Sequence, residues 1–164
     1  MPILKRSAKN MPESSPVYSA SIYRLTAVNF RASAETLSAS FETRADERPN
    51  KLTCLPFYYL ISHAAELLLK SALLKRGFEV SELRKFEYGH NLNSLLEELQ
   101  KKEVQVSEDT VSLIDGLHEQ HKNHALRYSA LMDDGRAIFL PTPEQAFGML
   151  DELLLLTRIS TQGV

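Results

Sequence analysis

The chain has 164 residues, one of them cysteine, with 19 Lys and Arg against 21 Asp and Glu, a formal net charge of −2. That balance excludes attachment to nucleic acid through bulk positive charge, while allowing a local basic groove. A lone cysteine, Cys54, excludes an intramolecular disulfide, and 43% hydrophobic with 24% charged residues is the balance of a chain that buries a core without staples.

Residues 1–16 carry Pro2, Pro12, Pro16 and a serine pair and read as a flexible arm. They are followed by one domain over residues 17–164. Tyr23, Ala27, Phe30, Ala34, Leu37 and Phe41 recur at steps of 4, 3, 4, 3 and 4, an apolar stripe that predicts a long helix from about Tyr18 to about Arg44. A second helix is expected from near Thr53, with Thr53 as cap and Pro56 in the first turn, to a terminating Gly77. Apolar residues cover most of its circumference, so it should be the central one, and Cys54 reads as a small apolar residue near its start. Residues 78–90 read as a connection, and Asn91 as the cap of a short helix over about 92–102 with Leu92, Leu95, Leu96 and Leu99 on one face. Ser107 begins a fourth helix to about Ser129, with Val106 and Val111 able to pack across its cap. Residues 136–140 read as extended. Thr142, Pro143 and Gln145 give the firmest start, that of a fifth helix to about Ser160. The expected fold class is all-α, an antiparallel bundle of four to five helices joined mostly by short links.

No apolar run approaches the ~20 residues of a spanning helix, and the basic first residues lack the apolar stretch of a secretory signal. A cytoplasmic chain without membrane contact is the expectation.

Polar residues on apolar faces carry the functional signal. On the second helix Tyr59, His63, Glu66 and Lys70 fall within about 60° of one another. A lone buried carboxylate is costly, so Glu66 within Ala64-Ala65-Glu66-Leu67 needs a partner, and Lys70 lies one turn on. The row reads either as a structural ion pair or as a ligand-binding groove. On the fourth helix His118, His121, His124 and Arg127 recur every three residues, and His121 and His124 share the side of Leu113, Ile114 and Leu117. Imidazoles exchange protons near neutral pH and a guanidinium clamps a phosphate, so His121, His124 and Arg127 form a candidate catalytic set for a phosphodiester. The alternative is packed, hydrogen-bonded histidines. Zinc has weak support on this row: no second cysteine exists and no His-Glu-x-x-His pattern is present, so neither a metal nor another cofactor is expected. His90 reads as helix-entry geometry, bonding a neighbouring backbone group.

Three stretches resemble the HEPN superfamily (higher eukaryotes and prokaryotes nucleotide-binding). Tyr58 to Leu73 is similar to its central helix, with the Ala-x-Glu and Leu-Lys-small pattern; Gly89-His90-Asn91-Leu92 to its Gly-His-x-Leu helix entry; and Leu126-Arg127-Tyr128 to its Arg-Tyr element. The resemblance implies a HEPN-like bundle, a homodimer, nucleotide or RNA as ligand, a cognate partner protein, and a role as an RNase toxin or defence component. Active HEPN ribonucleases carry an Arg, a polar residue and then a His four to six positions after the Arg. Here no His follows Arg127 in Tyr128-Ser129-Ala130-Leu131-Met132, and the histidines precede it. The alternative is a non-catalytic dimeric adaptor or regulatory module.

Overall fold

A computed structural model describes residues 15–39, 51–122 and 140–158 of the chain. Among these residues the fold is all-helical, with no strand: α1 (Pro16–Ser38), α2 (Lys51–Leu74), the single-turn α3 (Val80–Leu83), a 3-10 turn (Phe86–Tyr88), α4 (Leu92–Lys101), α5 (Glu108–Lys122) and α6 (Pro143–Leu156).

Local start signals act as their chemistry requires. The Ser15 hydroxyl accepts from the Tyr18 amide, with Pro16 opening α1. The Asn91 side chain accepts from Ser94, and the Ser107 hydroxyl from Thr110. Thr142 and Gln145 form a reciprocal capping box at α6. Gly77, at φ 89°, ends α2. Two boundaries differ from expectation. Helix α2 already runs at Lys51, so Thr53 lies inside it, and so does Pro56, which cannot donate to the carbonyl one turn back. Helix α1 begins at Pro16 and its described part ends at Ser38; Phe41 and the extended reading of residues 136–139 lie outside the described residues.

Helix α2 is the centre and packs against α1, α4, α5 and α6. Phe57, Ile61, Ala64, Ala65, Leu69 and Leu73 are fully buried. Against it α1 presents Ala20, Ala27 and Ala34, all buried and seven residues apart, with Tyr23 and Phe30 partly buried beside them. Small residues allow close approach, and the Ser71 hydroxyl of α2 reaches the Ala20 carbonyl of α1 at 2.8 Å. The four leucines of α4 are all buried, as the spacing predicts.

Chain direction decides which helix ends meet. Tyr58 near the start of α2 bonds the Pro141 carbonyl just before α6, and Arg76 after the end of α2 donates to the Leu156 carbonyl at the end of α6, at 2.9 Å. These two helices therefore run parallel. Helix α4 also runs with α2: His90 at its entry meets the middle of α2, whereas Lys102 at its exit lies over the Phe78 ring beyond the end of α2, 5.5 Å from the centroid. A long crossover through residues 75–91, covering the connection expected over 78–90, makes this possible. Val80 and Leu83 anchor it in the core, and the rings of Phe78 and Tyr88 meet edge to face at 6.2 Å.

Candidate functional site

Glu66 lies at the point where the returning crossover, α2 and α5 converge. It is 3% exposed, and burial alone would be expected to neutralise it. Three groups surround it instead. Lys70, one turn along α2, donates to Oε1 at 2.6 Å. His121, near the end of α5 and 3% exposed, meets Oε2 through Nε2 at 2.7 Å. His90 meets the same oxygen through Nδ1 at 3.0 Å. His63, on the α2 face of Glu66, holds Nδ1 at 3.6 Å from Oε2, just outside hydrogen-bond reach.

Ring packing fixes these imidazoles. Tyr59 stacks on His63 with centroids 5.8 Å apart and planes 8° apart, while Phe30 of α1 meets His63 edge-on at 4.9 Å. The ring of His121 lies 5.5 Å from that of His90 and 6.3 Å from that of His63.

The electrostatics reflect this geometry. Burial pushes the Glu66 carboxyl upward, but the contacts from His121 and His63 and the Lys70 ammonium prevail and hold it well below the usual carboxylate range. Burial lowers the His121 imidazole, against the pull of Glu66, so the group stays neutral near neutral pH. In the resulting pair Nε2–H of His121 donates to an ionised carboxylate. With His90 donating from Nδ1, the lone pair of that ring lies on Nε2, and the side chain is about a third exposed. The assembly thus joins an ionised carboxylate, two imidazoles oriented by it, and one face reached by solvent. These are the elements of proton transfer from a bound hydroxyl.

No family model matches the chain, and no curated protein and no solved structure matches it.

The structure brings together Tyr59, His63, Glu66, Lys70 and His121, from both sequence-predicted rows. His124 and Arg127 lie outside the described residues. His118 is buried but stands apart, its Nε2 facing Glu119 at 3.6 Å. The two rows meet in direct contact, the Glu66 carboxylate against the His121 ring at 2.7 Å. A cavity of about 420 Å³ opens elsewhere, between the start of α5 and α6, with Ser107, Thr110, Gly148 and Glu152 in its wall.

His90 reaches further than its reading as helix-entry geometry. One of its partners is a carboxylate 24 residues away. Its backbone sits at φ 56°, a left-handed conformation that aims the ring back towards α2. The available sequence signal was Glu66 itself: a buried carboxylate needs several donors, and Lys70 supplies one.

Proposed function

We propose that this chain is a HEPN-like helical protein that binds a nucleotide or an RNA phosphodiester beside the Glu66 cluster and performs acid–base chemistry on it. One observation carries the reading. Two of the three segments that resemble the HEPN superfamily, the Ala-x-Glu stretch of α2 and the Gly-His turn before α4, meet physically at Glu66 through His90. In this reading Glu66 fixes the tautomer of His90, His90 takes the proton of a ribose 2′-hydroxyl through Nε2, and His121 helps to hold the carboxylate ionised. Arg127 would steady the phosphate, and His124 would supply a second proton-transfer group.

The test is incubation of the purified chain with single-stranded RNA, wild type beside His90→Ala, His124→Ala and Arg127→Ala. The expected His90→Ala rate is lower by about 100-fold or more, the usual effect of losing a general base. Cleavage that survives all three changes would overturn the assignment.

A second reading, a non-catalytic dimeric adaptor, is favoured by the outer face of α1. Tyr18, Ile22 and Leu25, one turn apart in succession, are 60%, 41% and 57% exposed. A homodimer seated on this stripe would become monomeric in Ile22→Glu, read by sedimentation velocity. An unchanged sedimentation coefficient in the variant would remove the stripe as the dimer surface.

A further inference from the structure

The geometry points to a divalent transition-metal site, of the zinc class, with His63, Glu66 and His121 as ligands. His63 Nδ1, Glu66 Oε2 and His121 Nε2 all lie within 4.8 Å of one another. Ligands about 2.0–2.1 Å from a tetrahedral zinc stand roughly 3.4 Å apart. The imidazole nitrogens of His63 and His121 stand 3.6 and 2.7 Å from Oε2, on either side of that separation. Small side-chain adjustments would open the space for an ion.

Three further features favour a metal over a network that merely satisfies itself. First, His63 Nδ1 is buried and has no hydrogen-bond partner among the described residues, although it faces a carboxylate. A buried ring nitrogen left without a partner is costly, and a cation bridging it to Oε2 would give it one. Second, the donors are preorganised. Tyr59 and Phe30 hold the His63 ring on two sides, and His63 and Glu66 project from one face of α2 at positions i and i+3. Third, Lys70 occupies Oε1 at 2.6 Å, leaving Oε2 as the single ligating oxygen. A ligating carboxylate hydrogen-bonded through its other oxygen is the usual outer arrangement of such sites.

The donor chemistry selects the ion class. Neutral imidazoles with one carboxylate suit zinc, cobalt or nickel, whereas magnesium and calcium demand mostly oxygen ligands. Ligation takes the lone pair of each ligating nitrogen, with the ring proton carried on the other nitrogen, so the imidazoles bind in their neutral form. The site does not depend on what the chain acts upon.

The test uses the full chain, stripped with chelator and titrated with zinc by calorimetry and with cobalt by visible absorption. The expected result is one bound ion per chain and an intense tetrahedral cobalt spectrum. Affinity should drop at least tenfold in His63→Ala and stay unchanged in His118→Ala. Imidazole ¹⁵N spectra of the wild type, which need no variant to fold, should show His63 and His121 shifting on zinc addition. The absence of one-to-one binding would overturn the site. So would binding that leaves those imidazole resonances in place, or that survives His63→Ala intact.

Discussion

At the scale of single residues, the energetics turn on Glu66. A carboxylate this deeply buried is tolerable only while its donors remain, and removing one member of such a set leaves the others uncompensated. Glu66→Ala should therefore cost about 3–5 kcal/mol of unfolding free energy, measured by urea denaturation, because it leaves the Lys70 ammonium largely buried without its carboxylate. A loss below about 1 kcal/mol would mean that the carboxylate is far better solvated than its 3% exposure indicates. His118 gives a separate test. Burial pushes its imidazole below the ordinary histidine range, with Glu119 pulling the other way. The folded chain thus refuses a proton that the unfolded chain accepts, and stability falls as pH drops through about 6.5 and below. His118→Gln should flatten that decline between about pH 7 and about pH 5 in denaturation curves. An identical slope in variant and wild type would contradict the assignment.

At the scale of elements, α1 and α2 depend on small residues at their contact. Ala27 is 1% exposed and faces α2, so Ala27→Leu should overpack the seam and lower stability by about 1–3 kcal/mol. A neutral or stabilising change in thermal unfolding would show that the seam holds spare volume. Asn91 caps α4 directly after His90. Asn91→Ala should cost about 1 kcal/mol through the cap, and a smaller loss would mean that packing of the four leucines alone sets the start of α4. The helices were legible in sequence because caps and apolar spacing are local: Ser107, Asn91 and the Thr142–Gln145 box all act as read. The start of α2 was not, because burial of Cys54 and Phe57 stabilises a helix that carries Pro56 inside it. Direction was not legible either. The spacing of Leu92, Leu95, Leu96 and Leu99 gives a helix but not its sense relative to α2, which the crossover through Val80 and Leu83 decides.

At the scale of the molecule, that crossover is what assembles the site. It returns the chain from beyond the end of α2 to the level of Glu66, so that His90 arrives there while α5, running the other way, delivers His121. Each row was visible in the sequence because helical spacing exposes a polar residue on an apolar face. Their meeting was inferable from the cost of burying Glu66, but the left-handed turn at His90 leaves no mark in composition or period. Among the described residues no helix is long and apolar enough to cross a membrane. The convergence of three distant segments on one carboxylate is the central claim. Imidazole ¹⁵N correlation spectra of metal-free wild type and Glu66→Gln test it most directly. The His90 and His121 resonances should both move and change their tautomeric pattern in the variant, with His118 unmoved; unchanged His90 and His121 resonances would contradict the convergence.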